Sequence, residues 1–144
     1  MHKTPETMKS IVFAEYGGPE VLQLKEGPIP PLTPDGVRVK VVAAGINPAD
    51  SRIRQGTFRL LLRLNLPFIP GSDVAGIVTD VGANVTGFKP GDAVYAMLPT
   101  RHGGAYAEYI VMQADLLTPM PDNLTFGQAA GVPLAALTAL QALR

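Results

Sequence analysis

The chain contains no cysteine. That absence excludes disulfides, a thiol nucleophile and every thiolate metal site, and it carries no mark of an oxidising compartment. Histidine is nearly as scarce, with only His2 in an N-terminal tail and His102 in a predicted loop able to offer imidazole. Tetrahedral zinc takes three or four protein ligands, so no metal site is expected. No apolar run approaches the roughly 20 residues of a membrane span. The polar start, residues 1–7, has no apolar segment behind it and does not read as a signal peptide. An excess of either charge is also missing, because 12 basic and 12 acidic residues cancel. With no basic block, neither nucleic acid nor an anionic membrane is expected as a partner. These absences leave a cytoplasmic protein as the expectation.

What the chain has in quantity is turn formers. Its 14 prolines and 15 glycines make up about a fifth of the residues, where average usage gives roughly 12%. Alongside 47% hydrophobic residues, that mixture predicts many turns joining short strands. Residues 9–16 read as a strand closed by Gly17-Gly18-Pro19, and residues 21–25 as a second. Pro28, Pro30, Pro31 and Pro34 then stiffen a loop that cannot enter a sheet interior. In residues 36–46, Val37, Val39 and Val41 alternate with Arg38 and Lys40, the period-2 signature of a half-buried strand. Asn47, Pro48 and Gly56 sit where a helix cap, a first helical position and a helix end belong. Further strands are predicted over 73–81, 93–97 and 105–112, with Lys89-Pro90-Gly91-Asp92 as a type II turn. Six or so strands, little helix and no internal repeat predict a mainly β fold, a compact and partly open barrel.

The last stretch changes character. Thr125 and Gln128 have capping-box spacing and open an alanine-rich helix, which Pro133 interrupts before a second helix runs to Arg144. Leu134, Leu137, Leu140 and Leu143 form an apolar stripe with no obvious cover upstream. The expected organisation is a polar tail over 1–7, a substrate domain over 8–124 and a helical linker over 125–144.

Four segments together resemble the zinc-independent quinone oxidoreductase (zeta-crystallin-like) branch of the medium-chain dehydrogenase/reductase superfamily. They are Ala43-Ala44-Gly45-Ile46-Asn47-Pro48-Ala49-Asp50, Pro70-Gly71-Ser72-Asp73-Val74-Ala75-Gly76-Ile77-Val78, Gly91-Asp92-Ala93-Val94 and Gly104-Ala105-Tyr106-Ala107-Glu108-Tyr109. Leu137-Thr138-Ala139-Leu140 adds a fifth in the expected place. The resemblance implies a GroES-like N-terminal domain that supplies most of a substrate site. It also implies a Rossmann domain, absent from these residues, that binds NADPH in preference to NADH and mediates homodimerisation. No G-x-G-x-x-G phosphate turn occurs in the sequence. The chain therefore reads as the substrate half of a two-domain enzyme, inactive alone, stopping just before its cofactor half.

The resemblance also points to site residues. Zinc-dependent relatives carry a cysteine ligand where this chain has Asn47 and a His-Glu pair where it has Ser72-Asp73. Without a Lewis acid, the favoured acceptors are those whose reduced form is already a stabilised anion: quinones and α,β-unsaturated carbonyls. Asn47 is the leading candidate for both catalysis and cofactor contact, although as asparagine it is equally a plain helix cap. Asp50 matches a cofactor-side position but also suits a helix first turn. Thr138 matches a position near the nicotinamide, or is a small helix-surface residue. Arg52 stands where zeta-crystallin-like members often carry tyrosine, and either favours a polar acceptor or is simply solvated. The leucine-rich stretch 57–69 is a lid over an apolar substrate or ordinary core. Two alternatives to the quinone or enone reductase remain at this point: an enoyl-thioester reductase domain and a non-enzymatic GroES-like binding module.

Overall fold

The computed structural model describes residues 4–144. His2 and the first three residues of the predicted tail lie outside them. Among the described residues, seven strands form two antiparallel sheets. The smaller pairs β1 (Thr7–Val12) with β2 (Gln23–Pro28). The larger has the order β6-β3-β4-β5-β7, built from β3 (Gly36–Gly45), β4 (Asp73–Val81), β5 (Ala93–Met97), β6 (Tyr109–Gln113) and β7 (Thr118–Pro119). Two isolated bridges, Ser10 to Ala107 and Phe13 to Phe68, tie β1 to the loops of the larger sheet without closing a barrel. The fold is mainly β and partly open.

Alternation explains the main core. Val37 and Val39 of β3 and Val94 and Ala96 of β5 point inward, joined by Ile110 and Met112 of β6 and Val74 and Val78 of β4. Between them Arg38 faces outward to pair with Asp80 at 3.0 Å. The turn at Lys89–Asp92 forms as predicted: Gly91 has φ +97, and the Asp92 N–H donates to the Lys89 carbonyl at 3.2 Å. Only glycine occupies that third position without strain.

Four short helices complete the fold: α1 (Pro48–Arg54), α2 (Arg59–Leu62), α3 (Phe126–Ala130) and α4 (Pro133–Ala142). Gly56 follows α1 with φ +80, the left-handed stop that its position suggested. Ala129 and Ala130 of α3 are packed with Ala75 of β4. Gly45 permits this approach, since a Cβ there would run into the Ala130 carbonyl oxygen.

Some expected bounds shift. The first strand ends at Val12, because Phe13 turns away to bridge Phe68. The second begins at Gln23 and ends on Pro28, which sits at the end of a strand paired on one side only. Residues 105–108 do not join the β6 ladder, and their backbone is committed elsewhere: the Ala105 N–H to Gly71 O and the Tyr106 N–H to Pro70 O. The 57–69 stretch is core only in part. Phe58, Leu62 and Leu64 pack on Phe13, Ile53 and Phe68, while Leu60 and Leu61 are 82% and 83% exposed.

Candidate functional site

Asn47 ends the extended segment after β3 and begins α1, so its side chain stands at a junction between sheet and helix. Asp50 returns to the start of that helix, accepting the Asn47 backbone N–H on its Oδ2 at 2.8 Å. This is the return bond of a capping box, and it satisfies one of the donors that a helix start leaves open. The Asn47 carboxamide is thereby left for another partner. Its Nδ2 donates to Oδ2 of Asp73, the first residue of β4, at 3.1 Å. The other Asp73 oxygen, Oδ1, accepts the backbone N–H of Leu134 in the first turn of α4 at 3.0 Å. One carboxylate therefore joins β4, α1 and α4.

A fourth segment enters through Tyr106, whose hydroxyl donates to Asp50 Oδ2 at 3.0 Å. Asp50 and Asp73 are 6% and 1% exposed. Such buried charge is tolerated where hydrogen bonds replace lost hydration. Burial pushes the Asp73 carboxyl above its usual range, and the bonds from Asn47 and Leu134 oppose that rise. Burial and the facing carboxylates of Asp50 and Asp73 push the Tyr106 phenol far above its ordinary value, so it stays a donor.

The other sequence candidates stand apart from this cluster. Arg52 is on the exposed side of α1 and forms no salt bridge among the described residues. Thr138 is exposed on α4, where its hydroxyl donates to the Leu134 carbonyl one turn back at 2.7 Å. His102 is exposed in the 99–104 turn. Among the described residues no group of three or more His, Cys, Asp or Glu side chains is arranged to hold a metal. A cavity of about 780 Å³ opens elsewhere, lined in part by Met8, Phe68, Leu98, Ile110 and Met112. Its lining includes neither Asn47, Asp50 nor Asp73.

Residues 33–122 match the alcohol dehydrogenase GroES-like domain. The chain belongs to that family. This GroES-like domain is 42% identical over 146 residues to an NADPH-dependent alkenal/one oxidoreductase of Arabidopsis thaliana, covering 96% of the chain and 38% of the relative. It superposes on a quinone oxidoreductase from Coxiella burnetii with TM-score 0.90 and 38% identity, over 95% of the chain and 44% of that structure. The Escherichia coli quinone oxidoreductase, solved in complex with NADPH, gives TM-score 0.85 and 35% identity over 94% and 40%. The GroES-like domain thus spans about two fifths of the length of the relatives it matches. The resemblance read from five short motifs is borne out in family and fold.

Sequence reasoning selected Asn47 and Asp50 but gave no role to Asp73 or Tyr106. Both lie inside the motifs that carry the family resemblance, which places Asp73 in the pair of positions where zinc-dependent relatives carry His-Glu. The residue type alone carried the signal: an acid and a tyrosine amid apolar and small neighbours need partners if they are buried.

Proposed function

We propose that this domain forms the substrate side of an NADPH-dependent reductase that delivers hydride to a quinone or an α,β-unsaturated carbonyl without zinc. The observation that carries the reading is the Asn47–Asp73 hydrogen bond of 3.1 Å. It brings together the two chain positions that, in zinc-dependent relatives, belong to the metal centre. Here they present a carboxamide and a carboxylate whose two oxygens are already engaged. Such a donor set suits zinc poorly, because the carboxylate is committed to N–H donors and, among the described residues, no group of three or more His, Cys, Asp or Glu side chains could hold a metal.

The residues fit one end of a nicotinamide cofactor and not the other. The sequence has no glycine-rich phosphate turn to hold a pyrophosphate, so that task belongs to a nucleotide-binding domain, which also carries the homodimer contact in this proposal. The carboxamide of Asn47, partly exposed beside α4, supplies hydrogen-bonding groups for a ribose hydroxyl or the acceptor carbonyl. Thr138 meets a ligand as an acceptor, its proton being donated within α4. The chemistry supplied by the bound cofactor is a hydride. Asp50 holds the turn that presents Asn47, and Arg52 offers an exposed positive charge to a polar acceptor. A conjugated acceptor suits these groups because its charge settles on an enolate or phenolate oxygen that a few hydrogen bonds stabilise. The names of the relatives, an NADPH-dependent alkenal/one oxidoreductase among them, support both the cofactor and the acceptor class. A cytoplasmic location is part of the same reading; among the described residues no helix is long and apolar enough to cross a membrane.

The test uses the protein purified from its own cells, in whatever polypeptide or complex carries this domain. It is expected to oxidise NADPH with a simple quinone or alkenal, to do so after chelation, and to contain no stoichiometric zinc. Failure to bind or oxidise NADPH with either acceptor overturns the reductase reading in favour of a binding module. Turnover restricted to enoyl thioesters moves it to that acceptor class.

A further inference from the structure

We propose that Tyr106 is a positioning residue whose hydroxyl, through Asp50, fixes the orientation of the Asn47 side chain. The inference rests on the role given above to Asn47, but the connection itself is geometric. Oδ2 of Asp50 accepts from two donors: the Tyr106 hydroxyl at 3.0 Å and the Asn47 backbone N–H at 2.8 Å. Tyr106 reaches Asp50 from 56 residues away, whereas Asn47 belongs to the same helix start as Asp50. The same atom therefore feels both the loop around Tyr106 and the start of α1. Asn47 in turn reaches Asp73 through Nδ2, and Asp73 reaches the first turn of α4. Four groups in series link the 105–108 loop to the helix on the far side of the site.

Tyr106 is itself held firmly enough to act in this way. Its N–H donates to the Pro70 carbonyl at 3.1 Å, and its carbonyl accepts the Ile11 N–H at 2.8 Å. Its ring lies against Gly71, where φ is +95 and a Cβ would stand 2.5 Å from the ring carbon Cδ1. Both the left-handed backbone and the missing side chain at Gly71 are needed for this placement. The phenol thus directs a charge-assisted bond onto a carboxylate that has few other positions to take. Asp73 holds the far end of the Asn47 side chain through Nδ2, and Asp50 anchors the main chain from which it reaches out. A shift of that anchor moves the carboxamide, and small misplacements of a contact group carry large rate penalties.

Tyr106→Phe removes the hydroxyl and leaves the ring against Gly71. The first readout is the Asn47 side-chain amide pair in the ¹H–¹⁵N NMR spectrum, identified by its loss in Asn47→Ala. In Tyr106→Phe that pair is expected to shift and its protons to exchange faster. A second measurement replaces the four tyrosines with 3-fluorotyrosine, whose more acidic phenol strengthens the bond and keeps the fold. The Asn47 pair should move there as well. In the reductase assay, Tyr106→Phe is expected to lower kcat/KM about tenfold, with the change in kcat exceeding that in KM. An unmoved Asn47 pair in both samples overturns the positioning role, even if Tyr106→Phe melts earlier. If the unmodified protein shows no NADPH oxidation, the reductase reading fails separately, and the amide signals still decide the link.

Discussion

Asp73 and Asp80 carry opposite pH signatures at the two ends of the same strand. Burial raises the Asp73 carboxyl above the ordinary value of 3.8, against the pull of Asn47 and Leu134. The native state therefore holds that proton more tightly than the unfolded chain does. Its contribution to stability is full below about pH 3.8 and is lost as pH rises through the folded value. At Asp80, partial burial pushes upward, but hydrogen bonds from Thr79, Arg38 and Thr4 prevail and hold the carboxyl below 3.8. Its contribution is present above that value and is lost as pH falls through the folded one. Urea melts between pH 3 and 7 should separate the two. The stability of wild type relative to Asp73→Asn is expected to decline as pH rises, and relative to Asp80→Asn to decline as pH falls. A flat or rising difference for Asp73→Asn would show that burial does not raise its carboxyl above the unfolded value. At this scale the sequence disclosed less than the structure. Asn47 and Asp50 were legible through the family resemblance, and each also suits the start of one helix. Asp73 pairs across 26 residues with Asn47 and 61 with Leu134, and Tyr106 across 56 with Asp50. No local pattern encodes those separations.

The elements were legible in proportion to the length of their pattern. β3 alternates over enough residues for period 2 to stand out, and the structure gives β4 and β5 the predicted bounds. β7 has two residues, too few for any period. It exists because Val94 and Tyr95 of β5 need partners on their free edge. α2 spans four residues within a leucine-rich run, where continuous apolarity hides which side is buried. α3 was legible from its cap: the Gln128 N–H reaches Thr125 Oγ1 at 3.3 Å, and the Thr125 N–H reaches Gln128 Oε1 at 2.9 Å. The cap says where α3 starts but not what it lies on. That is decided by Gly45, whose missing Cβ lets the Ala130 backbone touch β3. Gly45→Ala is expected to push α3 off the sheet and cost about 1–3 kcal/mol in equilibrium denaturation. It should also disturb the bond from Leu134 to Asp73, since a Cβ at Gly45 would stand 2.9 Å from the Asp73 Cβ. An unchanged midpoint would mean that α3 docks loosely and that the close approach is incidental.

Across the whole molecule, the apolar surface is unevenly satisfied. Three clusters account for the buried core, yet α4 leaves Leu137 39%, Leu140 46% and Leu143 87% exposed. Scattered exposed leucines are ordinary on a protein surface. Leu137, Leu140 and the C-cap Leu143 follow one another along a short helix whose first turn is bonded to the candidate site through Asp73. In the proposed enzyme this face is where the nucleotide-binding domain would close against the substrate domain, so its two roles can be separated by one substitution. Leu140 is nearly half exposed, and Leu140→Lys should change the free energy of urea unfolding by no more than about 0.5 kcal/mol. In the protein as it occurs in cells, the same change places a charge in a closing apolar contact, and the KM for NADPH is expected to rise several-fold. A large loss of domain stability would mean that α4 packs internally more than its exposure indicates. An unaltered KM would mean that the helix face lies outside the cleft, leaving Asp73 to anchor α4 for structural reasons alone.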